Sequence, residues 1–327
     1  MAEQTMKANP VLDVLLRVGK KIWDDYSIVI VTLFIITVCA ILAPGRFLTV
    51  RNMVTIFGLS SYIGIIALGM TFVIIAGGID LSAGHVLATS GAVLILLQVN
   101  PEIPLVVAIV ACIATAVAIG TLSGTIVAKA NLPPFIVTLA IGIFFRSVTM
   151  YLCKGATVIG RPVREFTQIG MGRIGIFPIP FIVFLVFAII LGFVLKFTKF
   201  GSYVYAVGGN ENAARYSGIN VQFIRICTYV LLGFCIGVAS VMDFSRMAAV
   251  SASMSGYMYE FDAITAVVVG GAALSGGRGR IVGTIMGVLI LFIVSNILIM
   301  MNMSPFLSGA TKGVIILTAV LLQKQDK

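Results

Sequence analysis

Residues 57–84 read FGLSSYIGIIALGMTFVIIAGGIDLSAG, and the reading of this stretch decides the fold. Residues 57–76 carry no charge. That is about the 20 residues a helix needs to cross the hydrocarbon core of a bilayer. Gly77-Gly78 then interrupts the run, Asp80 follows, and a second apolar run opens at Gly84. Apolar helix, paired glycine, acid and apolar helix is the pattern of a helix broken within a membrane.

The pattern repeats outward from there. Apolar runs lie at 27–43, 57–76, 84–99, 105–128, 135–153, 177–195, 226–245, 261–275, 281–300 and 307–322. Of 327 residues only 34 are charged, 22 basic and 12 acidic, where a globular domain carries roughly a quarter. Apolar residues make up 60% and the mean hydropathy is +1.13. A water-soluble fold cannot hide that much apolar surface. A cytosolic enzyme, a secreted disulfide scaffold and a disordered chain are therefore excluded. The fold class expected is an all-α polytopic membrane protein of about ten transmembrane helices. The runs 84–99, 261–275 and 307–322 are short enough to be re-entrant or broken.

The expected organisation is a cytoplasmic or interfacial N-terminal segment 1–26, a single transmembrane domain 27–322 and a cytoplasmic tail 323–327. The first segment carries a short amphipathic stretch ending at Trp23, suited to the membrane surface. With all ten runs crossing from a cytoplasmic N-terminus, 13 basic residues fall on the cytoplasmic side and 7 outside. The bias predicts both termini inside. It also accounts for the net charge of +10 without a nucleic-acid partner. Four of the seven outer exceptions cluster: Lys154, Arg161, Arg164 and Arg173. They are either loop charges beside lipid headgroups or a contact surface.

Gly120 with Gly124, Gly233 with Gly237, and Gly279-Gly283-Gly287 have the four-residue spacing that lets helix backbones approach in lipid. Residues 77–84 match 270–277 at five of eight positions, by internal repetition or by chance in a glycine-rich chain. Asp80, Asp243, Glu260 and Asp262 sit in or at the ends of apolar runs. Charges there are costly and are paired or functional. Asp80 either caps the helix that follows or belongs to the pathway, and Glu260 and Asp262 present the same choice. One histidine, five scattered cysteines and no Gly-x-Ser-x-Gly stretch offer neither a metal set nor a nucleophile–base pair, so no catalytic or metal site is expected.

The loop 196–225 holds the most defined polar segment, GGNENAARYSGIN at 208–220. Asn210 suits an N-cap, Glu211 the positive end of a short helix, and Gly218 its termination. It is either a well-capped connector or a rigid docking helix. No Gly-x-x-x-x-Gly-Lys-Ser/Thr stretch occurs, so any ATP used must be bound by another chain.

Three segments together resemble the ribose-type permeases of bacterial ATP-binding cassette (ABC) sugar importers. They are Gly77-Gly78-Ile79-Asp80-Leu81-Ser82, the 208–220 loop, and Tyr259-Glu260-Phe261-Asp262-Ala263-Ile264 running to Gly270-Gly271 and Gly277. The resemblance covers about residues 30–322. It implies a permease in the bacterial cytoplasmic (inner) membrane that works as a homodimer or with a paralogous permease. A cytoplasmic ABC ATPase would bind ATP and Mg, with no cofactor in this chain. A periplasmic or lipid-anchored binding protein would deliver a monosaccharide.

On that footing Asn210, Glu211, Ala214, Arg215, Ser217 and Gly218 form the ATPase-coupling segment. Gly77, Gly78, Asp80, Ser82, Glu260, Asp262, Gly270 and Gly271 mark helix breaks or gates. Lys154, Arg161, Arg164 and Arg173 form a docking rim for the binding protein, and Ser82, Asn296 and Asn302 are pathway candidates. The rival from a different class is a proton-coupled secondary transporter of a small polar solute, using the buried acids as a relay.

Overall fold

The computed structural model describes residues 28–303 other than 131 and 162, together with 309, 310, 313, 314 and 317. Segments 1–26 and 323–327 and most of the run 307–322 lie outside the described residues. Among the described residues, six helices are long and apolar enough to cross a membrane: α2 (Val50–Ile75), α4 (Leu105–Ala130), α5 (Pro134–Leu152), α7 (Ile179–Phe197), α10 (Val221–Met247) and α12 (Ile281–Met300). Two shorter apolar helices, α1 (Ile28–Leu42) and α3 (Ala83–Val99), accompany them. The run expected at 261–275 is the 11-residue α11 (Tyr259–Val269), which stops at Gly270. The remaining elements are small: α6 (Arg164–Met171), α8 (Lys199–Gly209), α9 (Glu211–Tyr216) and two two-stranded sheets. One sheet pairs β1 (Thr157–Ile159) with β4 (Ala249–Ser251); the other pairs β2 (Arg173–Ile174) with β3 (Phe177–Pro178).

Helix α2 is the central post. Every residue from Ser60 to Ile75 is buried, against α7, α10, α11 and α12. Helices α4, α5 and α7 keep one flank outward, with Val106, Val110, Phe144, Ile189 and Phe193 exposed. Exposed aliphatic and aromatic side chains of this number fit a lipid-facing surface.

Small residues set the tightest seam. A Cβ on Gly120 would meet the Tyr229 carbonyl oxygen at 2.6 Å, and one on Gly233 would meet that of Ala116 at 2.6 Å. Gly124 and Gly237 lie equally close to α10 and α4 respectively. The two glycine pairs thus face each other, as their spacing predicts. Gly283 and Gly287 similarly admit α12 against Gly270 and Ala266.

Candidate functional site

The end of α2 is a Schellman cap. Gly77 adopts φ +81°, its N–H donates to the Ile74 carbonyl at 2.9 Å, and the Gly78 N–H donates to that of Val73 at 2.8 Å. That geometry satisfies the last carbonyls of a buried helix end. Helix α11 ends the same way at Gly271 (φ +88°), with Ala272 donating to Val267. The echo between 77–84 and 270–277 is therefore real at the cap but offset by one residue. The left-handed position falls to the first glycine of one pair and the second of the other. Beyond the cap the likeness ends, since α3 starts at Ala83 whereas 272–280 runs without helix to Ile281.

Asp80 is 2% exposed. Its Oδ1 accepts from the Ser82 N–H and the Ser82 hydroxyl, both at 2.6 Å. It ties down Ser82, the residue just before α3, without bonding the first-turn amides of the helix. Ser82 is spent on this contact. Glu260, 5% exposed, lies against Gly84 in the first turn of α3, where a Cβ would collide with its Oε2 and with the Gly256 carbonyl. Two carboxylates thus sit at the positive end of a half-helix. Asp243 is paired with Arg246 at 3.0 Å and accepts from the Tyr259 hydroxyl at 3.2 Å. Asp262 is half-buried on α11. Asn296 exchanges hydrogen bonds with Asn52 at 3.0 and 2.8 Å, clamping α12 to α2. Asn302 is exposed, with φ +56°.

The loop between α7 and α10 folds as two helices. Thr198 caps α8 by accepting from the Gly201 N–H at 3.2 Å. The Tyr205 hydroxyl donates to the Gly279 carbonyl at 2.6 Å, and burial raises its pKa above the usual value, so it stays a donor. Asn210 caps α9, accepting from the Ala213 N–H at 3.0 Å. At the far end Gly218 adopts φ +80° and Ile219 donates to the Ala214 carbonyl at 3.1 Å. Both caps are those the sequence predicts. Glu211 turns inward, Oε1 to Arg215 at 3.0 Å and Oε2 to Arg225 at 2.7 Å. Ala214 packs beneath. Asn212, Ala213, Arg215, Tyr216 and Ser217 face outward, Tyr216 being 92% exposed.

One arrangement was missed from sequence. The chain has four Gly-Gly pairs, and the structure brings three together. The Gly277 N–H donates to the Ile75 carbonyl at 2.9 Å. A Cβ on Gly276 would lie 3.1 Å from the Gly77 Cα and 2.8 Å from the Gly208 oxygen, and one on Gly277 would lie 2.9 Å from the Gly209 Cα. The end of α8, the end of α2 and the loop before α12 therefore meet backbone to backbone. The recurrence of the dipeptide was the available signal. Also missed were Arg225, legible only as a charge, and Arg146, whose guanidinium donates to the Ser255 carbonyl at 2.8 Å.

Of the four basic residues clustered between 154 and 173, Lys154, Arg164 and Arg173 are exposed. Arg161 is built into the fold: its N–H donates to the Gln98 side-chain oxygen at 2.7 Å, and its Nε to the Gln98 carbonyl at 2.9 Å.

Residues 52–320 match the family described as branched-chain amino acid transport system / permease component. The ribose import permease of Escherichia coli strain K12 is 39% identical over 316 residues, covering 95% of this chain and 97% of that protein. The D-allose transport permease of the same strain is 33% identical over 302 residues, 92% of each chain. The xylose transport permease of Haemophilus influenzae is 31% identical, covering 92% of this chain and 96% of that protein. No solved structure matches the chain. The chain belongs to the permease-component family of ABC importers: it is their multi-pass transport subunit, working with a separate ATPase and a substrate-binding protein.

Proposed function

We propose that this chain carries a monosaccharide of the ribose, allose or xylose kind across the bacterial inner membrane, and that α9 is where the ATPase engages it. The sugar class is taken from the named relatives. The subunit works as a homodimer or with a paralogous permease, with ATP and Mg held by the ATPase. About ten segments cross or enter the membrane and both termini face the cytoplasm. The transmembrane domain 27–322 is a single unit flanked by the interfacial segment 1–26 and the tail 323–327.

The glycine junction is the observation that carries the coupling assignment. Gly208 and Gly209 directly precede α9 and touch the ends of two other membrane elements with no side chain between. Movement of α9 cannot be absorbed by side-chain rearrangement there, so it passes to the helix breaks at Gly77 and ahead of α12. Asn210 and Gly218 fix the ends of α9, Ala214 seats it, Glu211 ties it to α10, and Arg215 and Ser217 present its outer face. Asp80, Glu260 and Asp262, with Gly78, Gly270 and Gly271, hold the broken helices on the pathway side of the junction. Lys154, Arg164 and Arg173 guide the binding protein, and Arg161 supports their loop. Asn302 is the pathway candidate that is exposed; Asn296 clamps α12 to the start of α2, and Ser82 is held by Asp80 beyond the other end of α2.

The test is a pair of substitutions in the assembled importer. Gly208→Ala places a Cβ against the Ile75 carbonyl, whereas nothing lies within 4 Å of one on Gly209. The expected result is that Gly208→Ala leaves ATPase binding intact but cuts sugar uptake per ATP hydrolysed at least fivefold, while Gly209→Ala matches wild type. Equal coupling ratios in the two variants would remove the junction from the mechanism.

A further inference from the structure

A groove of about 660 Å³ runs along the outer surface between α4, α7 and α10. Val117, Leu191, Val194, Cys227 and Val230 line it, and Phe234 stacks on Phe187 at one end, ring centroids 5.9 Å apart. The other end reaches Phe200. Phe200 also lines a second cleft, about 490 Å³, bordered by Tyr203, Ser217, Gly218 and Phe223. An apolar slot between membrane-crossing helices thus opens into a more polar recess beside α9. Lys196 follows Val194 by two residues and Lys199 directly precedes Phe200; both are exposed. The Lys196 ammonium lies 5.2 Å from the Phe197 ring centroid. No acidic residue occurs between Glu165 and Glu211, and Glu211 is already paired with Arg215 and Arg225.

We propose that this groove is a binding site for an anionic phospholipid of the cytoplasmic leaflet. One acyl chain occupies the slot, the phosphate rests on Lys196 and Lys199, and the headgroup reaches the recess beside Ser217. The assignment of leaflet rests on the cytoplasmic placement of α8 and α9 proposed above. Three things fit this occupant. The slot has the volume of a ligand pocket and almost no polar lining. Its axis joins membrane to surface recess, as a lipid joins tail to headgroup. The exposed charges that flank the lining residues Val194 and Phe200 in the chain, Lys196 and Lys199, are both basic, and basic clusters select anionic lipid at the cytoplasmic side. A lipid so bound touches the residues that end α9, so leaflet composition would bear on the coupling segment.

The test uses the full-length protein in nanodiscs, with phosphatidylglycerol and phosphatidylcholine probes carrying a photoreactive group in one acyl chain. Each basic residue near an anionic lipid is worth roughly a fivefold preference. For the two lysines the expected result is labelling by phosphatidylglycerol about 25-fold above phosphatidylcholine at equal mole fraction, mapped to peptides containing Val117, Leu191 or Val230. Lys196→Glu with Lys199→Glu should bring the two probes to parity, and Val230→Trp should lower labelling by both. The charge reversal lies on the surface, so it reports even if the tryptophan variant fails to fold. Equal labelling by the two lipids in the wild type, selectivity that survives the reversal, or crosslinks from a second copy or from residues 1–26 at these positions would overturn the proposal. The readout is lipid labelling without ATP, so a failure here is distinct from a failure of α9 as the ATPase contact.

Discussion

Asp80 is the residue on which the first helix break turns. Its carboxylate takes both the amide and the hydroxyl of Ser82 in a fully buried setting. Removing the acceptor strands two buried donors, which costs about 1–3 kcal/mol for each group left unpaired. Asp80→Ala is expected to lower the thermal unfolding temperature of the detergent-solubilised chain clearly more than Asp80→Asn, which keeps an acceptor oxygen. Equal melting of the two variants would show that the carboxylate acts elsewhere. Gly84→Ala is expected to be damaging for a different reason. Its Cβ would drive into the Glu260 carboxylate and the Gly256 carbonyl, and overpacking of this kind typically costs about 1–3 kcal/mol. The sequence left Asp80 open between a cap and a pathway residue, because an acid two residues before a serine offers the same letters to both; its bond to Ser82 was not legible. The contact between Gly84 and Glu260 was not legible, since 176 residues separate the two.

At the scale of elements, α9 and the outer hairpins differ in how their charges are used. In α9 the Glu211–Arg215 pair is largely exposed, and such pairs contribute about 0.3–0.5 kcal/mol. The contact from Glu211 to Arg225 matters more to position, because it joins the short helix to α10. Glu211→Ala with Arg215→Ala is therefore expected to weaken ATPase association while the melting temperature stays near wild type; normal transport by the double variant would count against α9 as the contact. On the other face, charge reversal of Lys154, Arg164 and Arg173 together is expected to slow binding-protein association several-fold at low salt, with the difference vanishing at high salt, since rim charges act mainly on encounter. Arg161→Glu should instead lower stability, because it removes the guanidinium contact to the Gln98 carbonyl. The four basic residues looked alike in sequence; only burial and partners separate Arg161 from the others. The caps of α9 were legible at both ends because capping is local chemistry. The facing glycines of α4 and α10 were legible as spacing. The junction of Gly77, Gly208 and Gly276-Gly277 was not, because it is a contact among three separated segments.

Across the whole molecule, the buried α2 packs against α7, α10, α11 and α12, and a two-helix segment hangs from the bundle by glycine contacts. The excess of basic residues in the loops assigned to the cytoplasm sets its proposed orientation. Ala213→Cys and Lys154→Cys, each in a background with the native cysteines replaced, are expected to react with an impermeant thiol reagent from opposite sides of sealed vesicles. Two of the buried acids have side-chain partners: Asp80 bonds Ser82, and Asp243 bonds Arg246 and Tyr259. Membership in the permease family of ABC importers separates the two energy sources considered from sequence. The most direct test is sugar uptake into proteoliposomes holding the assembled importer, with binding protein outside and ATP inside. Uptake is expected to require internal ATP, to persist when an uncoupler collapses the proton gradient, and to fall at least tenfold with Glu211→Ala and Arg215→Ala. Uptake driven by a proton gradient without ATP or the ATPase subunit would contradict the account.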